Sequence, residues 1–158
     1  MKHPVPQVGP IDDLIEATLQ RAGVRAAASA PEKPRASADP ALDERLTEQL
    51  KKGVAALLDK KAEKLVVLNL QGLTTISDYF VLATAGSDRQ AQALSDAVEL
   101  ALKAAGRRPL SIEGYSSAAW ILLDYGDVVF HVFHHEARRF YGLERLWGDA
   151  PDATAAFR

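Results

Sequence analysis

The stretch from Trp120 to Asp149, WILLDYGDVVFHVFHHEARRFYGLERLWGD, decides the fold of this chain. Its first half predicts a β-hairpin, because two apolar runs flank the two-residue loop Gly126-Asp127. We expect its strands at Ala119 to Tyr125 and at Val128 to His134. Its second half predicts a helix over 136–147 with more aromatic surface than a short helix needs for anchoring. Such aromatics belong either to the core or to the centre of a protein interface.

The residues before this hairpin alternate between helical and strand patterns. Leucines and valines at helical spacing predict a helix over 41–60, and a second helix begins at Ser87, a good N-cap. Continuous apolar runs predict buried strands at 65–70 and 79–85, and a third strand follows at 109–115. This order predicts an α/β fold with a mixed five-stranded sheet flanked by helices.

The two ends of the chain lie outside the predicted domain, which we place at residues 41–150. Residues 1–40 form an N-terminal extension with a weak helical pattern at 11–28 and a proline-rich linker at 29–40. Residues 151–158 are predicted to be a flexible tail.

Composition excludes several classes of function. The chain has 158 residues and no cysteine, which excludes disulfides, thiolate metal sites and cysteine nucleophiles. Its formal net charge of -2 provides no strong field for phosphate backbones, so we expect no sequence-specific nucleic-acid binding. No apolar run approaches the ~18 residues that span a membrane, and no targeting segment is evident. We therefore expect a cytoplasmic protein with no membrane partner.

The pair Gly86-Ser87 is the first candidate for chemistry, because it joins a strand to a helix as anion-binding turns do. It also resembles the turn of the nucleotidyltransferase fold, whose enzymes hold two divalent metals on paired carboxylates. No later strand carries such a pair, since Asp124 and Asp127 flank a turn. An ordinary helix cap is the preferred interpretation, and a nucleotide-binding enzyme is the alternative.

The only histidine cluster does not predict a metal site. His131, His134 and His135 diverge, because neighbouring side chains on a strand alternate between its faces. His131 instead shares a face with Val129 and Phe133, as a hydrogen-bonded or interface residue.

Two basic clusters lack interleaved aromatics, so we interpret them as solvated surface. They comprise Lys60, Lys61 and Lys64, and Arg107 with Arg108.

One face of the first hairpin strand is the candidate binding surface. Trp120, Leu122 and Asp124 share this face, because side chains alternate along a strand. A face that carries Asp124 should be the less covered one, and a mixed apolar and acidic patch suits a protein partner. The alternative is that the last helix simply covers Trp120.

The chain from about Leu42 to Ala150 resembles the ribosomal silencing factor family, also called Iojap-like. The matching segments, in family order, are Asp78 to Val81, Gly86-Ser87 with Arg89, Glu113-Gly114, Ala119-Trp120, Asp124 to Val129, His131-Val132, Arg139 to Tyr141 and Leu143 to Asp149. The block from Trp120 to Asp149 is the most specific. The chain departs from the family pattern at two positions, with Asn69 where we expect an acidic residue and Gln90 where we expect a histidine.

The resemblance implies a nucleotidyltransferase-like fold without catalytic carboxylates, no enzymatic activity, no metal and no cofactor. It implies binding to the large ribosomal subunit through its fourteenth protein, which blocks joining of the small subunit and represses translation. Family members are often homodimers, and a role in large-subunit maturation is a further alternative. We expect Trp120 and the segment from Tyr141 to Trp147 to form the apolar centre of the binding surface, with Asp124, Asp127 and Glu144 at its acidic rim. Leu122 and His131 are further candidate partner-binding residues.

Overall fold

Residues 40–73 and 77–158 are described by a computed structural model of the chain. The strands are β1 (Glu63–Asn69), β2 (Tyr79–Ala85), β3 (Ser111–Glu113), β4 (Trp120–Asp124) and β5 (Val128–His134). The helices are α1 (Pro40–Asp59), α2 (Asp88–Ala104), α3 (His135–Tyr141), α4 (Leu143–Leu146) and α5 (Thr154–Phe157). The predicted weak helix at 11–28 and the proline-rich linker up to residue 39 lie outside the described residues.

The strands form one mixed sheet in the order β1-β2-β5-β4-β3, which confirms the predicted fold class. β2 and β5 run parallel, and the other neighbouring pairs run antiparallel. The hairpin between β4 and β5 closes through Gly126, whose φ is 89°, a conformation that glycine adopts without steric cost. The Tyr125 N–H donates to the Val128 carbonyl across this turn at 2.9 Å. The predicted two-residue hairpin loop is confirmed.

The sheet is the middle of three layers, with apolar side chains packed on both faces. α1 and α2 cover one face and bury a cluster that includes Val81, Phe130 and Val132. α3, α4 and the residues up to Ala150 cover the other face, over Phe80 and Trp120. Because both faces are covered, the central strands have continuous apolar sequences rather than alternating ones. Within the described residues, no helix combines the length and the apolarity needed to cross a bilayer.

Gly53 allows α1 to pack closely against the sheet. A Cβ atom at this position would lie 2.5 Å from the ring of Phe130 on β5, closer than real side chains approach. Glycine in a helix interior costs about 1 kcal/mol relative to alanine. This cost is offset by the close contact between α1 and the central strand.

The structure corrects the prediction of one continuous helix over 136–147. α3 ends at Tyr141, and Gly142 adopts the left-handed conformation with φ 57° before α4 begins at Leu143. A left-handed residue is the usual end of an α-helix, and glycine adopts it most readily. The chain therefore turns at Gly142 between α3 and α4.

The prediction of a flexible tail at 151–158 is wrong. The Asn69 N–H donates to the Pro151 carbonyl at 3.0 Å, and the Ala153 N–H donates to the Val67 carbonyl at 2.8 Å. Phe157 of α5 is only 7% exposed and meets the ring of Tyr79 edge to face. The segment thus covers the outer edge of β1, which would otherwise expose unpaired backbone groups.

Candidate protein-interaction surface

Trp120 is fully buried, so the prediction that it lies on a less covered face is wrong. Leu122 on the same face is also buried, at 1% exposure, because α3 and α4 pack over both residues. The prediction was inferred from Asp124, but this residue is the last of β4 and lies beyond the covered region. Its carboxylate accepts a hydrogen bond from the Gly126 N–H at 2.8 Å. Asp124 therefore supports the hairpin turn and does not report on the exposure of Trp120.

A hydrogen bond joins Trp120 to His131 inside this layer. The indole Nε1 donates to Nδ1 of His131 at 3.1 Å, across the diagonal of the antiparallel pair β4 and β5. Burial lowers the pKa of His131 to about 3, so the imidazole is neutral. Because Nδ1 accepts, the ring proton lies on Nε2, which has no hydrogen-bond partner within the described part of the chain. The interpretation of His131 as a hydrogen-bonded residue is confirmed.

Trp120 and His131 are the middle of a buried group of aromatic rings. The Trp120 ring centroid lies 4.9 Å from Phe133 and 4.7 Å from Tyr141. Phe80 contacts His131 at 4.5 Å and the fully buried Trp147 at 6.0 Å. Such ring pairs add to the stabilisation that burial of their area provides. Trp120, His131 and Trp147, which sequence analysis offered as partner-binding residues, are all buried in this group of rings and lie beneath the exposed surface.

Phe140 and Tyr141 form the exposed part of this layer, and we call them the aromatic pair. Phe140 is 67% exposed at the end of α3, and Tyr141 is half-buried on Trp120. Their rings meet edge to face at 5.1 Å. Sequence analysis selected Tyr141 and missed Phe140. Consecutive helical residues point about 100° apart, so Phe140 faces solvent when Tyr141 packs on Trp120, and the sequence alone does not indicate which of the two packs inward.

The three carboxylates of the predicted acidic rim each have an internal partner. Asp124 accepts from the Gly126 N–H at 2.8 Å, Asp127 pairs with Arg107 at 2.9 Å, and Glu144 pairs with Arg138 at 3.0 Å. The last two keep 37% and 43% of their side-chain surface exposed. Asp127 and Glu144 can therefore present negative charge to a partner protein only at the positions where their ion pairs hold them.

The predicted rim does not lie around one centre. Asp124 is four residues from Trp120 along β4, which corresponds to about 13 Å. Asp127 lies at the same hairpin end. Glu144 lies at the opposite end, because Arg138 joins it to Thr84 near the end of β2. The structure thus groups Glu144 with the aromatic pair and separates the other two carboxylates from it.

The Gly86-Ser87 turn is an ordinary helix cap. The Ser87 hydroxyl accepts from the Gln90 N–H at 3.0 Å, and the Gln90 side-chain oxygen accepts from the Gly86 N–H at 2.8 Å. This reciprocal pair is a variant of the capping box, with the N–H of Gly86 in place of that of the N-cap Ser87. It engages two of the donors that an anion would need. Gln90, one departure from the family pattern, thus has a structural role. Across residues 40–73 and 77–158, no three His, Cys, Asp or Glu side chains converge to hold a metal ion.

Comparison with known proteins gives consistent matches over most of the described chain. A family model described as "Ribosomal silencing factor during starvation" matches residues 43–157. The ribosomal silencing factor RsfS of Halalkalibacterium halodurans is 44% identical over 104 residues, covering 66% of this chain and 89% of that protein. The RsfS of Bacillus subtilis is 42% identical over 108 residues, covering 68% and 92%. A crystal structure of a Chromobacterium violaceum protein has a TM-score of 0.63 at 39% identity and covers 64% of this chain and 84% of that one.

Proposed function

Because this chain belongs to the ribosomal silencing factor family, we propose that it binds the large ribosomal subunit and represses translation. The proposed contact is the fourteenth protein of that subunit, on the face that receives the small subunit. The family match over residues 43–157 carries this proposal, since it includes all five strands and the aromatic pair. The regulatory role requires no catalysis, so we propose a protein without enzymatic activity.

The proposed mechanism is steric exclusion. A domain of about 110 residues is roughly 30 Å across. When it occupies the joining face of the large subunit, the small subunit cannot reach its own contacts. A standard interface buries ~800 Å² on each partner, which a domain of this size can provide. Repression then depends only on occupancy of that face.

The aromatic pair is the proposed centre of the interface. Exposed aromatic side chains that rest on a rigid base carry much of the binding energy of protein interfaces. Tyr141 rests on Trp120, so its ring is held in place before the partner arrives. Glu144 lies at the same end of the sheet, and its half-exposed carboxylate is available to a basic protein surface. At a rim, such a charge raises the association rate more than the affinity.

Titration of the purified fourteenth protein into this protein tests the proposed contact. We expect Phe140→Ala to weaken binding about 30-fold, which corresponds to ~2 kcal/mol for a residue at an interface centre. Leu100→Ala is the matched control, because Leu100 is 71% exposed on α2, on the opposite face of the sheet. Equal affinities of both variants and the unchanged protein would show that the aromatic pair is not the contact.

A nucleotide-binding enzyme is the second candidate, and the engaged donors of the Gly86-Ser87 turn disfavour it. Calorimetry with ATP or GTP in the presence of magnesium separates the two candidates. We expect no heat of binding. Saturable heat that Ser87→Ala abolishes would favour the enzyme.

Three finer properties belong to the same proposal. We propose a cytoplasmic protein that forms a homodimer in isolation, which analytical ultracentrifugation of the purified chain tests. We also propose that it acts on mature large subunits rather than during their maturation. Its abundance on mature and on immature large subunits, measured in the same lysate, distinguishes these two times of action.

A further inference from the structure

A groove of about 770 Å³ lies beside β1, where the carboxyl end of β2 meets α3 and α4. In α/β sheets, crevices at the carboxyl ends of strands are common ligand sites. The lining carries four cations, Lys64, Arg138, Arg139 and Arg145, and one carboxylate, Glu144. The whole chain has a formal net charge of -2, so this concentration of positive charge is local.

Arg138 forms the floor of the groove. It is 7% exposed and pairs with Glu144 through two hydrogen bonds, at 3.1 and 3.0 Å. It also donates to the Thr84 hydroxyl at 2.8 Å and to the Lys64 carbonyl. These contacts occupy the guanidinium, so Arg138 holds the groove together and its charge is balanced by Glu144.

The other three cations are exposed and face the groove from separate segments. Lys64, Arg139 and Arg145 form no ion pair with any side chain of the described ranges. Lys64 lies at a break in the register between β1 and β2, with φ 49°. At such an irregularity, a side chain can point away from the face that regular alternation along the strand would give it. The sequence placed Lys64 with Lys60 and Lys61, and only the fold brings it to the two arginines.

We propose that this groove binds the phosphate groups of an RNA backbone without regard to sequence. Arginine and lysine are the side chains that proteins use for phosphate contacts, and such contacts position a protein without reading bases. No Phe, Tyr or Trp lines the groove, and His135 carries its one aromatic ring, so phosphate contacts rather than base stacking dominate the proposed binding. The proposal rests on the proposed function, because a large ribosomal subunit presents RNA beside its proteins. The groove would provide a second contact beside the aromatic pair.

An NMR titration of the 15N-labelled protein with a mixed-sequence RNA duplex of about twelve base pairs tests this proposal. We expect amide shifts at Lys64, Thr84 and along α3 and α4 at low salt. Three phosphate contacts predict a slope of log affinity against log salt of about -2 to -3. Shifts confined to other surfaces, or none at all, overturn the proposal.

Charge-neutral variants locate the site. We expect Arg139→Gln combined with Arg145→Gln to weaken RNA binding at least tenfold, and Arg139→Gln alone to give an intermediate loss. Arg108→Gln removes one exposed arginine outside the groove and should bind RNA as the unchanged protein does. An equal loss in the Arg108 variant overturns the assignment. A dispersed amide spectrum for each variant verifies that it is folded.

Two further ligands separate an RNA backbone from other anions. Pyrophosphate represents free phosphate compounds, and hexaglutamate represents an acidic peptide. Binding of either one at the same amides, as tight as or tighter than that of RNA, overturns the choice of RNA. Phe140→Ala should leave the RNA titration unchanged, so failure of this proposal is distinguishable from failure of the proposed contact with the fourteenth protein.

Discussion

His131 is a buried imidazole whose neutral form is required by its surroundings. Its Nδ1 accepts the indole proton of Trp120, and a second proton on the ring would break this contact. Burial lowers the pKa to about 3 from an ordinary value near 6.5. Below pH 6.5 the unfolded chain therefore binds a proton at His131 that the folded chain does not bind.

This difference predicts a loss of stability in mild acid. The contribution of neutral His131 to the free energy of unfolding is fully present above pH 6.5. It is lost as the pH falls towards 3, by about 1.4 kcal/mol for each pH unit. Urea denaturation at pH 7, 6 and 5 measures the free energy of unfolding in this window, above the range where most carboxylates titrate. We expect His131→Gln to be less stable at pH 7 but to lose less stability between pH 7 and 5. Parallel declines in both proteins would contradict the assignment.

At the scale of elements, the packing of α1 on the sheet depends on one missing side chain. Gly53→Ala places a methyl group 2.5 Å from the Phe130 ring. Overpacking of this kind costs about 1–3 kcal/mol, which outweighs the ~1 kcal/mol that alanine contributes to an exposed helix. We expect a net loss of stability in thermal or urea denaturation. Phe130→Leu should make the same substitution less harmful, and a gain of stability from Gly53→Ala alone would contradict this account of the packing.

The elements that sequence analysis predicted best are those with a strong periodic pattern. The run YFVLATA predicted β2 at its observed bounds, and Ser87 as a good N-cap predicted the start of α2. β3 is shorter than the predicted 109–115, because only Ser111–Glu113 pair with β4. The C-terminal segment lacked any pattern for its contact with β1, since tertiary hydrogen bonds determine it.

The candidate site was predicted less completely than the fold. The sequence offered Trp120, His131 and Tyr141 as candidate binding residues, but the order of layers determines which of them reaches solvent. Alternation along β4 defines two faces and does not say which face a later helix covers. The acidic rim was predicted only in part, because the position of the hairpin turn separates Asp124 and Asp127 from the aromatic pair and leaves Glu144 beside it.

At the scale of the whole molecule, the protein has a small three-layer domain, and we propose that it acts by occupying a surface. The proposed contact is made by two aromatic side chains over a buried aromatic base, and the basic groove lies near Glu144 on the same layer. A protein that represses by occupancy needs rigidity and surface complementarity rather than reactive groups. Its effect should therefore rise with its concentration and saturate when every large subunit carries one copy.

Sedimentation of purified ribosomal subunits with increasing amounts of the protein tests this central claim most directly. We expect the protein to migrate with the large subunit and to shift joined ribosomes towards separate subunits until saturation. Phe140→Ala should need a higher concentration for the same shift, and Leu100→Ala should behave as the unchanged protein. Undiminished subunit joining at a concentration where the protein saturates the large subunit, or migration with the small subunit instead, would contradict steric exclusion.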